Sequence, residues 1–171
     1  MIRHSTCFFY IILRVKAVPS DNPHIVNRKA HFNYAIEEKF ECGLVLKGWE
    51  VKSVRAGRVQ IGDSHVYEYG GELWLSNAHM NPTDEISTHE RANPTRTRKV
   101  LMHRREIMRL IGRVERQGYS LIPLDLHFSR GRVKMTLALA KGKREFEKRA
   151  DESKKQWERD RQRLMKTRTR G

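Results

Sequence analysis

The chain is poor in cysteine. Two in 171 residues, Cys7 and Cys42, cannot build a disulfide framework, and no CxxC pair exists to seed a structural zinc site. The histidines are no better arranged: His31, His65, His79, His89, His103 and His127 are scattered, and none makes an i,i+4 metal pair with a carboxylate nearby. No metal site and no cofactor are therefore expected. Long apolar runs are also missing. Cys7 to Leu13 (CFFYIIL) is far too short to span a bilayer. With Arg3 before it, this run superficially resembles a secretory signal, but Arg14 and Lys16 follow at once and no small-residue cleavage site is evident. A cytoplasmic protein without a membrane partner is the expectation. Acidic charge is the last scarcity: 20 Asp and Glu face 35 Lys and Arg, a formal net charge of +15. Such a chain attracts polyanions, with nucleic acid first and an anionic membrane surface second.

What is present suits one domain with a modest core, since 38% of residues are hydrophobic. Residues 1–26 read as a leader of unrelated composition. Phe32 to Ile36 alternates in the manner of a first strand. Leu44 to Arg55 mixes helical spacing with strand-forming valines, so either element remains open there. Ser64–Tyr69 and Glu72–Ala78 read as two strands joined by a Gly70–Gly71 hairpin turn. After the break at Asn93-Pro94-Thr95, the apolar stripe Leu101, Ile107 or Met108, Ile111 and Val114 predicts a helix that Gly118 ends. Tyr119–Phe128 is a further strand. Past the turn at Ser129-Arg130-Gly131, Val133, Met135, Leu137 and Leu139 alternate with Lys134, Thr136 and Ala138, which implies an antiparallel sheet with one wet face. The expected fold is mainly β with a few helices, a small barrel over residues 27–140. Residues 141–171 form a tail with thirteen Lys or Arg against six Asp or Glu, nearly half the net charge. Its apolar content is too low to offset chain entropy, so the free tail is expected to be disordered. Residues 150–166, without Gly or Pro, are expected to turn helical against a partner, with Trp157 and Leu164 on one face.

Two basic constellations follow. Arg91 to Arg116 contains nine Lys or Arg, and Arg96, Arg98 and Lys99 are expected to sit together as a phosphate-binding cluster giving salt-dependent affinity; a solvated helix face is the plainer alternative for the helical part. In the tail, Lys141-Gly142-Lys143-Arg144-Glu145-Phe146-Glu147-Lys148-Arg149 sets one ring in a basic run. Stacking of such a ring on an unpaired base is worth about 1–3 kcal/mol, while a flexible tail with an incidental Phe is the competing reading. A third stretch, Gly43 to Gly57, adds Lys52 and Arg55 but says little about function on physical grounds.

That third stretch, GLVLKGWEVKSVRAG, is followed by Asp63-Ser64, Ser87-Thr88-His89, Asn93-Pro94-Thr95-Arg96-Thr97-Arg98-Lys99 and Ala140-Lys141-Gly142-Lys143. In this order and spacing the motifs resemble SmpB, the SsrA-binding protein family of bacteria, from about Asn27 onward. The resemblance implies an OB-fold barrel that binds the tRNA-like domain of tmRNA and enters stalled 70S ribosomes, with elongation factor Tu on the aminoacylated tmRNA. It also implies that the tail, Trp157 included, probes the decoding centre and the empty mRNA channel. By position, Glu41, Arg55, Leu101 and Lys134 match family residues associated with tmRNA binding. His103 stands where the family often has Asn, Gln117 where it often has Glu, and Phe146 where relatives carry His or Tyr. Glu147-Lys148-Arg149 resembles the family's acidic-Lys-Arg motif. Glu41 is expected either to be a buried carboxylate that orients a neighbouring Arg or accepts hydrogen bonds from RNA, or to be half of a structural ion pair.

Two other functions compete. An RNA-processing enzyme needs clustered acids and bases, and Asp84-Glu85 with His79 or His89 is the sole local set, without supporting spacing. A different OB-fold translation protein would account for charge and barrel but not for the ordered motifs. The expectation is a protein with no catalytic residues.

Overall fold

Asn27 organises the start of the domain. The computed structural model describes residues 23–83 and 92–168. In it, the Asn27 side chain accepts from the Ala30 N–H at 3.0 Å and donates to the carbonyls of Ile61 and Pro123, both at 3.0 Å. It thus caps the short helix α1 (Arg28–Asn33) and ties that helix to two distant segments. This cap explains one departure from the sequence reading. Phe32 and Asn33 lie in α1, and the first long strand, β2 (Tyr34–Leu44), starts only at Tyr34. Before α1, β1 (Ile25–Val26) already pairs with β8 (Ser120–Ser129), so the sheet begins ahead of the expected boundary at residue 27.

The other elements are α2 (Gly48–Arg55), β3 (Val59–Gln60), β4 (His65–Tyr69), β5 (Glu72–Ser76), β6 (His79–Met80), β7 (Arg98–Leu101), α3 (Arg104–Gln117), β9 (Arg132–Gly142) and α4 (Glu145–Arg168). The seven-stranded sheet has the order β1-β8-β4-β5-β7-β2-β9, every pairing is antiparallel, and β8 also pairs with β9. The two-residue strands β3 and β6 make a separate small pair. The open choice over residues 44–55 resolves as strand, then helix: the Glu50 carboxylate accepts from the Lys47 N–H at 2.7 Å, which starts α2. The Gly70–Gly71 turn joins β4 to β5, and both glycines have positive φ. Gly118, in the left-handed conformation at φ 66, ends α3.

The core lies between one sheet face and α3. Leu73, Leu75, Val100, Leu126, Met135, Leu137 and Leu139 are fully buried there with Leu110 of α3. Leu101, expected on the helical stripe, instead ends β7; it and Met108 are exposed because the helix starts at Arg104 and turns Ile107 and Leu110 inward. The opposite face of β9 divides in two. At Ala138 and Ala140 it is covered by Ala30 of α1, with Ile122 and Leu124. At Lys134 and Thr136 no helix among the described residues covers it, and these positions are only half-buried. That uncovered face positions the candidate site.

The tail differs most from expectation. β9 runs through Lys141 and Gly142, paired with Ala35 and Tyr34, so the sheet continues past residue 140. Residues 145–168 then form α4, where a disordered free tail was expected. The entropy argument undervalued local propensity: this stretch lacks Gly and Pro and is rich in Glu, Lys, Arg and Gln. Glu147 accepts from the Arg144 N–H at 2.7 Å at its start, and Gln156 donates to Asp160 one turn on. Lys143 anchors the helix, with its ammonium 2.7 Å from Asp151 and donating to the His31 carbonyl. Among the described residues, no helix is long and apolar enough to cross a membrane.

Candidate nucleic-acid interface

The strand registers align the key residues into rows. Leu101 of β7 stands opposite Gly43 of β2, Gly43 opposite Lys134 of β9, and Lys134 opposite His127 of β8. In the next row, Glu41 stands opposite Thr136, and Thr136 opposite Asp125. Facing residues of neighbouring strands share a face, so Leu101, Lys134 and Glu41 all project from the uncovered side. Leu101 is 49% exposed there. A groove of about 390 Å³ runs beside it, lined by Leu46, Val51, Arg132 and Lys134 among others. Gly43 lets the strands meet closely, since a Cβ there would sit 3.3 Å from the Leu101 Cβ.

Electrostatically the face centres on a carboxylate flanked by a lysine and a histidine. The Lys134 ammonium lies 3.2 Å from the Glu41 carboxylate, and His127 Nε2 lies 3.7 Å from the same group. Lys134, by hydrogen bond and charge, holds the Glu41 carboxyl below its usual range. Glu41 is exposed, so the expectation of a buried carboxylate orienting an arginine is corrected: its partner is a lysine, across a strand pair at the solvent edge. Arg55, exposed at the end of α2, sets its guanidinium 5.7 Å from the centre of the Phe128 ring, at the same end of β8. Lys52 is exposed one turn earlier, and His103, at the N-cap of α3, is exposed two residues beyond Leu101. The face therefore offers an apolar ridge, a cation and a carboxylate, while Phe128, under Arg55, points to the core side of the sheet at the same end of β8; such mixed chemistry suits an irregular nucleic-acid surface better than a uniform run of phosphates.

The expected phosphate cluster at Arg96, Arg98 and Lys99 does not exist as such. The Arg98 side chain is fully buried; its Nε donates to Glu50 at 2.8 Å, and its other nitrogens donate to the carbonyls of Ala78, Arg96 and Pro94. Arg96 forms a two-point pair with the same Glu50, and Lys99 pairs with Glu72. These cations instead tie β7 and the loop before it to α2 and β5. Burial pushes the Glu50 carboxyl up, but Arg96, the Lys47 N–H and Arg98 outweigh it, leaving the pKa below its usual value. No sequence period could reveal this, because Glu50 and the two arginines lie 46 and 48 residues apart. In α3, Arg109 and Arg113 are likewise tied to β2, Arg109 to Glu38 at 3.2 Å and Arg113 to Glu37 and Glu38 at 2.9 and 2.5 Å. Arg104, Arg105 and Arg116 remain exposed.

In the tail, Lys141, Gly142, Arg144, Glu147 and Arg149 are exposed, while Lys143 and Lys148 are partly covered, Lys148 beside Glu145. Phe146 is 64% exposed and Trp157 79% exposed. Two large rings are therefore presented to solvent on one basic helix. The Leu164 side chain, Arg91, and the Asp84, Glu85 and His89 of the nuclease alternative lie outside the described residues. Burial drives the Cys42 thiol up to about 12, so it is a core group rather than a nucleophile.

A basic β domain with an open, mixed-chemistry face and a ring-bearing cationic helix defines a nucleic-acid-binding adaptor. The family model for SmpB protein matches residues 24–167, and the chain belongs to that family. The SsrA-binding protein of Azoarcus sp. (strain BH72) is 55% identical over 142 residues, 83% of this chain and 96% of that protein. The SsrA-binding protein of Nitrosomonas europaea is 49% identical over 144 residues, 84% and 95% of the two chains. Among solved structures, a chain from "tmRNA-SmpB: a journey to the center of the bacterial ribosome" superimposes with a TM-score of 0.60 and 43% identity, covering 72% of this chain and 86% of that one.

Proposed function

We propose that this chain binds the tRNA-like domain of tmRNA and delivers it to stalled 70S ribosomes, for peptide tagging and ribosome release. The observation that carries this reading is the uncovered row Leu101–Gly43–Lys134 with Glu41 beside it, in a member of the SmpB family. The pairing of β8 with both β4 and β9 supports reading the body as a small OB-type barrel. The body, from β1 to Gly142, holds the RNA. Leu101 gives an apolar contact for a base or ribose, Lys134 and Arg55 meet phosphates, and Glu41 aims Lys134 and accepts from RNA donors. Lys52 and His103 extend the contact at its margins.

The tail does separate work. On the ribosome, α4 lies along the path that messenger RNA has vacated, and Phe146 and Trp157 stack in the decoding region. The residues that carry charge there are Lys141, Arg144, Lys148 and Arg149. The protein contributes no catalytic group; elongation factor Tu joins through the aminoacylated RNA, and the setting is the bacterial cytoplasm. The test is complementation of tagging in cells that lack their native SsrA-binding protein. Restored tagging of chains from a message without a stop codon is the expected result, and no tagging at normal protein levels would overturn the reading.

A further inference from the structure

Next to the RNA face, β1 and β8 bring together three groups that the sequence scatters over a hundred residues. His24 precedes Ile25, which pairs with Leu126, so His24 continues the register toward His127. The His127 Nδ1 lies 2.8 Å and the His24 Nε2 3.5 Å from the same Asp125 oxygen, and the two rings meet edge to face at 6.2 Å. One ligand atom from each residue falls within 4.8 Å of the other two. Ligand atoms around a divalent transition ion, each about 2.0–2.2 Å from it, stand roughly 3.0–3.5 Å apart. Two of the three separations are already near that range. The third closes by rotation of His24, whose side chain is 60% exposed at the end of a two-residue strand.

Two further contacts fit a metal site. The Thr136 hydroxyl donates to Asp125 at 3.0 Å, which fixes the carboxylate. The other nitrogen of His127, Nε2, looks toward the Glu41 carboxylate at 3.7 Å. A ligating imidazole whose far N–H meets a carboxylate is the usual outer arrangement of a protein metal site; it fixes the tautomer and raises ligand basicity. The Asp125 side chain is only 18% exposed, so the trio is neither a loose surface patch nor a purely acidic cluster. Lys134 is the nearby opposing charge, and Glu41 neutralises it.

We infer that His24, Asp125 and His127 bind a divalent transition-metal ion of the zinc class through two imidazoles and one carboxylate, clipping β1 to β8 beside the RNA face. Water completes the coordination, and two nitrogens with one oxygen favour zinc, nickel or copper over magnesium or calcium.

Calorimetric titration of the full-length protein with zinc chloride at neutral pH tests this. The expected result is saturable one-to-one binding that His24→Ala and His127→Gln each weaken by about tenfold or more, with His65→Ala unchanged. His24 is exposed and outside the core, so its variant keeps the fold, checked by an unchanged circular dichroism spectrum. Absence of saturable zinc binding by the full chain, or binding that either ligand substitution leaves intact, overturns the proposal.

Discussion

Lys134 and Glu41 face each other from β9 and β2, one register row apart, with 3.2 Å between ammonium and carboxylate. Both are on the uncovered side of the sheet, and the pair is partly solvated. A pair of that kind contributes little to stability. Its importance lies in position: the acid sets where the base points, beside Leu101, on the face proposed to meet RNA.

Lys134→Ala is therefore expected to lower affinity for tmRNA without lowering thermal stability appreciably. Loss of one phosphate contact should also reduce the slope of log affinity against log salt by about one. Filter binding over a salt series measures both. An unchanged slope would show that Lys134 makes no phosphate contact.

Glu50 and Arg98 give the opposite case, a pair that carries the fold. Both are fully buried, and Arg96 closes on the same carboxylate. Glu50→Ala leaves a buried guanidinium without its counter-charge, a loss of about 3–5 kcal/mol. Urea denaturation of wild type and variant measures it, and a loss under ~1 kcal/mol would contradict the assignment.

The same carboxylate predicts a pH dependence. Its pKa in the folded protein lies below the ordinary 4.5. Stabilisation by Glu50 is thus fully present above the unfolded value and fades as pH falls through the folded one. Urea midpoints from neutral to acidic pH should fall for the wild type below about 4.5 and fall less steeply for Glu50→Gln. Parallel curves would exclude Glu50 as a contributor.

These two pairs show what the sequence could and could not reveal. The alternation in Val133–Leu139, the Gly70–Gly71 hairpin and the Gly118 stop were legible because each is a local rule: period two, a two-residue turn, a left-handed cap. The fate of Arg96 and Arg98 was not legible, since a run of basic residues looks the same whether it meets phosphate or a buried Glu50 from another element. The α1 cap was missed because Phe32 and Tyr34 alternate plausibly as a strand, whereas the deciding partner is Asn27 upstream. His24, Asp125 and His127 escaped a search for helical spacing because they meet across strands. The face residues Glu41, Leu101 and Lys134 came from family resemblance; register then placed them together.

In α4, the exposed rings invite a direct test. Phe146→Ala and Trp157→Ala remove side chains that are 64% and 79% exposed, so folding and tmRNA affinity should hold while tagging activity falls. A reporter without a stop codon, read beside tmRNA binding, separates the two effects. Equal loss of both would contradict a division of labour between sheet and tail.

Gly118 offers a check on the scaffold under α3. At φ 66 an alanine is strained, and Gly118→Ala is expected to cost about 1 kcal/mol. Thermal or urea unfolding reads that cost, and a stabilised variant would show that α3 ends differently.

The most direct test of the account is competition binding of the full-length protein to tmRNA and to bulk tRNA at equal salt, for the wild type and for Glu41→Lys, which reverses one charge on the proposed RNA face. The account predicts a clear wild-type preference for tmRNA that the substitution abolishes while nonspecific affinity persists. Equal wild-type affinity for the two RNAs, or a preference that survives Glu41→Lys, would contradict it.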